Sequence, residues 1–229
     1  MNKGYFVTER RENKAKKIEK LLEEYSNNKI VDKKILDIGT GNGGIAFYFS
    51  KTGNSVSAVD VHDSIQNEYR ESLNFRLVRD ENLPFEDKSF DIVISNHIIE
   101  HTPNQSLHLR EINRVLRDKG ECYLSMPNRL FPYEVHTKTI FIHYLTNKMF
   151  YGILKAIGKF SEPLYLLTGA KAKVMLKSTG FTWEEQTAKV LRRPKDYYMN
   201  GFHLYVPNIF SVFSPTRIFI LQKRTADYV

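Results

Sequence analysis

The segment DIGTGNGG, residues 37–44, constrains this chain more than any other stretch, because its glycines stand between a strand pattern and a helix pattern. KILDI (34–38) reads as a buried strand, and IAFYFSKTG after the glycines reads as a helix. Gly39, Gly41 and Gly44 satisfy G-x-G-x-x-G, a spacing that permits a tight turn and lets a ligand approach the backbone and the helix N-terminus. A second strand, SVSAVD, ends at Asp60, where a carboxylate can accept both hydroxyls of an adenosine ribose. Dinucleotide-binding domains share both features, so neither alone selects a ligand.

The rest of the chain continues the alternation. A Lys/Glu-rich helix over 9–25 carries Ile18, Leu21 and Leu22 on one side, and a helix is predicted over 64–72. NFRLV, FDIVIS and ECYLSM are the third to fifth strands. The helix before the fifth strand is predicted to start with Thr102 as N-cap and Pro103 at its first position, and to stop at Gly120. After Met126 the rhythm changes. Residues 128–168 are rich in Phe, Tyr, Ile and Leu and too long for an ordinary connection. A helix near 171–179, a strand near 181–190, an irregular stretch over 191–214 and the strand RIFILQKR complete the chain. The predicted fold class is α/β: a doubly wound, mostly parallel seven-stranded sheet of Rossmann-like type, with a helical and aromatic cap inserted after strand five. Residues 1–229 are read as one domain. It divides into an N-terminal helical extension (1–32), a cofactor-binding core (33–127) and cap insertions at 128–168 and 191–214.

With 41 % hydrophobic and 26 % charged residues, the chain can bury a normal core. Cys122 is the single cysteine, which excludes an intramolecular disulfide and fits a reducing, cytoplasmic setting. The most apolar later segment, 139–160, is interrupted by His143, Asn147, Lys148, Lys155 and Lys159, so a soluble protein is expected. The net charge of +8 is concentrated at the two ends, in residues 1–34 and 189–229. It suits nucleic acid, an anionic membrane surface or an anionic small substrate, and equally an ordinary solvated surface.

Asp37 separates the ligand classes. A carboxylate in the glycine turn would repel a pyrophosphate but suits a ligand carrying an ammonium group and a sulfonium. The runs ILDIGTGNGG, AVD, ENLPFEDKSFDIVIS, the EH of HIIEHTPN and REINRVLRDKGE follow one another between residues 35 and 127. In that combination the chain resembles the class I S-adenosylmethionine-dependent methyltransferases, particularly the group called type 11. The resemblance implies S-adenosyl-L-methionine as cofactor. Asp37 would lie near the methionyl amino group, and Gly39, Thr40, Gly41 and Asn42 would line the methionyl and ribose portion. Asp60 would hold the ribose hydroxyls and Val61 would pack on the adenine. The family's usual Asp facing the adenine amino group falls by count on Arg79, so Asp80, one residue late, or Glu81 would take that place. Asn96 would sit beside the methionine moiety.

Methyl transfer is an in-line displacement, and a general base is needed only where the acceptor must lose a proton. The candidates for catalytic work are His97, His101, Glu134 and His136, with His143 beside them. His97, Glu100 and His101 form H-x-x-E-H, which resembles the E-x-x-E-H of some quinone-biosynthetic methyltransferases that hold a divalent metal. His97 stands where that pattern has its first Glu, so no metal is expected, and Glu100 and His101 are read as shaping the pocket floor. The aromatic cap favours a small-molecule acceptor with apolar or lipid-like bulk, and O-methylation is preferred over N- or C-methylation. Two alternatives stay open: methylation of RNA or another nucleic acid, and a non-catalytic cofactor-binding partner protein. SNHI in place of an Asn/Asp-Pro-Pro-aromatic run speaks against the first. IFIHYLTNKMFYGILKAIGKF could touch a membrane surface or pack as the cap. The oligomeric state is left open.

Overall fold

Five apolar runs form the parallel part of the sheet: Lys34–Ile38 (β1), Ser55–Asp60 (β2), Asn74–Leu77 (β3), Phe90–Asn96 (β4) and Leu116–Pro127 (β5). A separate hairpin pairs Tyr133–Glu134 (β6) with Thr139–Ile140 (β7). Phe181–Glu185 (β8) and Thr216–Lys223 (β9) join the main sheet antiparallel, giving the order β3-β2-β1-β4-β5-β9-β8. This computed structural model describes residues 3–134, 136–199 and 208–224. The mostly parallel seven-stranded sheet is the one the sequence predicts.

Helices cover both faces: Lys3–Ser26 (α1), Gly44–Lys51 (α2), Asn67–Arg70 (α3), Gln105–Val115 (α4), Asn147–Ala156 (α5), Gly169–Ser178 (α6) and Thr187–Arg192 (α7). Successive strand residues point to opposite faces. Ile35 therefore packs with Ile18 and Leu22 of α1 and Phe49 of α2, whereas Leu36 packs with Leu109 and Ile112 of α4 and Leu176 of α6. Phe49 is fully buried, and truncating such a side chain to Ala costs about 3–5 kcal/mol. No helix among the described residues is long and apolar enough to cross a membrane.

Several predicted details differ. The N-cap of α4 is Asn104, whose side chain accepts from Leu107 N at 3.0 Å; Thr102 instead turns its hydroxyl back to Ile98 O and closes a short 3₁₀ turn, Ile99–His101. Helix α4 ends at Val115, before Gly120, because residues 116–127 are already strand and Lys119, not the glycine, takes the positive φ. The helix expected over 64–72 is the single turn α3, and the strand expected over 181–190 gives way to α7 after Glu185. The described parts of the second irregular stretch pack at two separate places. Tyr197 packs into the α1 side of the core and donates to Glu24 at 2.7 Å, while Val212 and Ser214 accept from the Asn128 side chain. Residues 200–207 of that stretch lie outside the described residues.

The strand order reverses between β1 and β4, and ligands of open α/β sheets bind in the crevice at the carboxyl ends beside such a point. The loop before β4 is held there by α4. Arg114 donates to the carbonyls of Leu83 and Phe85 and to Asp87, and Glu111 accepts from Leu83 N. The separated motifs LPFED and REINRV are thus one hydrogen-bonded unit.

Candidate active site

The glycine turn is built against its neighbours. Gly39 N and Thr40 N both donate to Val59 O, at 2.8 and 3.2 Å, which binds the turn to the end of β2. Gly39 has φ +68°, and a Cβ there would overlap the Ile98 side chain, so the turn and the exit of β4 touch only because this residue is glycine. Asp60 accepts from Gly41 N at 2.8 Å through one oxygen and from His62 N at 3.0 Å through the other. Each oxygen keeps a second lone pair for a ligand hydroxyl. Val61 follows with 53 % of its surface exposed, an apolar side chain at the rim of the same crevice. Asn42 turns inward and accepts from Gly44 N at 3.3 Å.

Asp37 lies on β1 directly below the turn and is 2 % exposed. Among the described residues, Asp37 Oδ2 and the buried Thr40 Oγ1 have no hydrogen-bond partner. Burial pushes the Asp37 carboxyl up to about 7, while the nearby Thr40 hydroxyl and then Arg11 pull the other way. A buried acceptor left unsatisfied costs about 1–3 kcal/mol, and an ammonium group placed here would remove that cost. Arg11 was not singled out by the sequence. It comes from α1, where a Cβ on Gly44 would lie 3.1 Å from Arg11 Cβ. The N-terminal helix therefore lies across the glycine turn, and Arg11, Asn42, Phe47, Tyr48 and Tyr69 line a cleft of about 260 Å³ beside it.

The other cofactor candidates are arranged as follows. Asp80 is exposed and closes a small turn by accepting from Asn82 N and Nδ2, both at 2.9 Å, which holds its carboxyl below the usual range. Glu81 accepts from Asn104 N at 2.9 Å and so ties this loop to the start of α4. Asn96 accepts from Ser125 Oγ at 2.9 Å, joining the carboxyl ends of β4 and β5. Behind them, His108 Nε2 meets Ser95 Oγ at 3.0 Å, and burial holds the imidazole down at about 4.

The fold brings the candidate catalytic residues to one place. His97 follows β4 with φ +59°, a conformation costly for a non-glycine residue, and its amide is held by Ser125 O at 3.0 Å. His97 Nδ1 lies 3.2 Å from Glu100 Oε1, and Glu100 is 1 % exposed. The β6–β7 hairpin delivers His136 to the same carboxylate, with Nε2 3.9 Å from Oε1, and the rings of His101 and His136 meet edge to face at 5.1 Å. Glu134 is spent on structure: it accepts from His136 N and Nδ1 and from Thr137 N and Oγ1. Burial pushes its pKa up, but these hydrogen bonds outweigh burial and bring it to about 2. The bond from Glu134 in turn raises His136. His143 is buried nearby, lowered by burial, and lies 3.2 Å from Arg129 O. In the segment after β5, Tyr133, Phe141 and Tyr144 are 38 %, 58 % and 43 % exposed, whereas Glu134, Thr137, Thr139 and His143 are buried.

Residues 36–124 match the family model described as "Methyltransferase domain". This segment is a methyltransferase domain. Its bounds run from β1 through β5 and so enclose the glycine turn, Asp60 and the 97–101 segment. The chain is 34 % identical over 107 residues to the sarcosine/dimethylglycine N-methyltransferase of Halorhodospira halochloris, covering 42 % of this chain and 38 % of that protein. It is 32 % identical over 119 residues to the ubiquinone biosynthesis O-methyltransferase of Rickettsia bellii, covering 49 % and 48 %. The chain thus spans less than half the length of these curated relatives. Among solved structures, the 1,6-didemethyltoxoflavin-N1-methyltransferase of Burkholderia thailandensis, with 1,6-didemethyltoxoflavin and S-adenosylhomocysteine bound, superposes with a TM-score of 0.61 at 19 % identity, covering 96 % of this chain and 81 % of that one. An S-adenosylmethionine dependent methyltransferase from Mesorhizobium loti gives 0.60 at 15 % identity, covering 85 % and 92 %. These likenesses show that the methyltransferase-domain fold extends through β8 and β9, beyond the matched segment.

Proposed function

We propose that this chain is an S-adenosylmethionine-dependent methyltransferase of a small-molecule acceptor, with a hydroxyl oxygen as the preferred site of methylation. The observation that carries the reading is the buried Asp37 carboxylate beneath the glycine turn, one of whose oxygens has no hydrogen-bond partner among the described residues, with Asp60 beside it keeping acceptor capacity. That pairing fits an ammonium and a ribose, and it disfavours a pyrophosphate. When bound, S-adenosylmethionine supplies a methyl group activated by its sulfonium. Asp37 and Thr40 would hold the methionyl end, Asp60 the ribose and Val61 the adenine, with Asp80 or Glu81 at the far edge of the ring. Asn96, fixed by Ser125, would present its backbone to the methionyl chain.

His97 is the best-placed proton acceptor. It follows Asn96 directly, and Glu100 fixes its Nδ1, which leaves Nε2 for the proton of an acceptor hydroxyl. His101 and His136 border the same space, and Glu134 orients His136. Residues 128–168 would close over the acceptor as a cap. The relatives named for N- and O-methylation of small molecules support this acceptor class. Isothermal titration separates the readings: S-adenosylhomocysteine is expected to bind and NAD is not. Turnover with labelled methyl donor against a metabolite extract, read by mass spectrometry, is expected to yield small products heavier by one methyl group. Heat with NAD and none with S-adenosylhomocysteine would overturn the proposal.

A further inference from the structure

We propose that Glu100, His101 and His136 bind a divalent first-row transition ion, which would tie the β6–β7 hairpin to the exit of β4. One ligand atom from each of the three residues lies within 4.8 Å of the other two. His101 Nε2 is 4.0 Å and His136 Nε2 is 3.9 Å from Glu100 Oε1. Those two separations are too long for hydrogen bonds, so pairing with Glu100, whose Oε1 already meets His97 Nδ1 at 3.2 Å, does not account for the convergence of His101 and His136. They suit three donors around an ion. Ligand distances of about 2.0–2.2 Å place tetrahedral donors roughly 3.4 Å apart, so each imidazole would approach Glu100 by about half an ångström, and the two imidazoles would approach each other by up to roughly 1.4 Å.

The two rings are already oriented for this. His136 Nδ1 is held by Glu134 at 2.8 Å and His101 Nδ1 by Glu162 at 2.9 Å. Each carboxylate fixes Nδ1 as the protonated nitrogen and directs the Nε2 lone pair toward Glu100, the arrangement that metal-ligating histidines use. Glu100 adds an independent observation. It is 1 % exposed, and among the described residues its Oε2 has no hydrogen-bond partner, a costly condition that a cation would relieve. Two imidazoles and one carboxylate favour zinc, cobalt or iron over magnesium, which prefers oxygen ligands and its own water.

The test uses the full chain, stripped with a chelator and titrated with Co²⁺ and Zn²⁺ by calorimetry, with Co²⁺ also followed by its visible absorption. One ion per chain is expected, and Mg²⁺ at equal concentration is not expected to displace it. His136→Ala should weaken Co²⁺ by at least about 10-fold and alter its spectrum. Glu134→Gln, which only loosens the ring, should weaken it about 10–100-fold. Thermal melts of the metal-free variants establish that they fold. Absence of saturable Co²⁺ and Zn²⁺ binding, or wild-type affinity in both His136→Ala and Glu100→Gln, overturns the site. S-adenosylhomocysteine affinity measured on the same samples keeps the two readings apart: a chain that binds it but neither metal loses the metal site alone.

Discussion

Gly41 N donates to Asp60 Oδ2 at 2.8 Å, so the carboxylate at the end of β2 already holds the glycine turn before any ribose arrives. Asp60→Ala should therefore weaken S-adenosylhomocysteine by about 1.5–3 kcal/mol, the scale of lost charge-assisted hydrogen bonds. Asp60→Asn, which can still accept from Gly41 N, should retain part of that affinity. Calorimetric affinity equal to wild type in the Ala variant would place the ribose elsewhere.

Asp37 should make donor binding depend on pH. Its carboxyl is pushed up by burial to about 7 in the unliganded fold, whereas an ammonium at its side favours the ionised form. Below about 7, binding must expel a proton, so affinity should rise with pH up to about 7 and level off above it. Calorimetry at pH 6 in two buffers of different ionisation enthalpy should detect the released proton. Asp37→Asn should bind weakly with a flat pH profile, and a flat profile in the wild type would contradict the assignment.

His97 and Glu134 should separate kinetically. If His97 takes the acceptor's proton, His97→Gln should lower kcat by about 10²–10⁴-fold with S-adenosylhomocysteine affinity nearly unchanged. Glu134 is held low, at about 2, by four hydrogen bonds, which makes it a weak base and a strong anchor. Glu134→Gln should lower the melting temperature and raise acceptor KM more than it lowers kcat. A larger kcat loss in Glu134→Gln than in His97→Gln would reverse these roles.

His108 should add an acid-sensitive element to stability. Its pKa is lowered by burial from 6.5 to about 4, so the unfolded chain takes up the proton first as pH falls. The stability linked to this group is full above about 6.5 and is lost as pH drops to about 4. The loss is on the order of 3 kcal/mol at 1.36 kcal/mol per pKa unit. His108→Gln removes the titration, so the difference between the two urea-derived stability profiles should change across that window. Parallel profiles would show that His108 is not buried in its neutral form.

The sequence by itself determined the sheet and the place of the glycine turn beside Asp60. Strand runs such as KILDI and FDIVIS, the glycine turn and Asp60 lie within short stretches whose local geometry follows from residue type, so β1, β2 and β4 lie where the pattern puts them. Cap positions were harder, because competing side-chain hydrogen bonds decided them: Thr102 was spent on Ile98 O, which left Asn104 to start α4. Only the tertiary structure decided what crosses between distant segments. Arg11 reaches the glycine turn from α1, and His136 reaches Glu100 through the β6–β7 hairpin. Composition did not tell which side chains of residues 128–168 are buried: Phe141 and Tyr144 are exposed while Glu134 and Thr137 are buried. The physical reason is that the buried side of such a segment is set by what it must satisfy beneath it. Here that is a buried carboxylate, Glu100, whose partners are chosen in three dimensions and not along the chain.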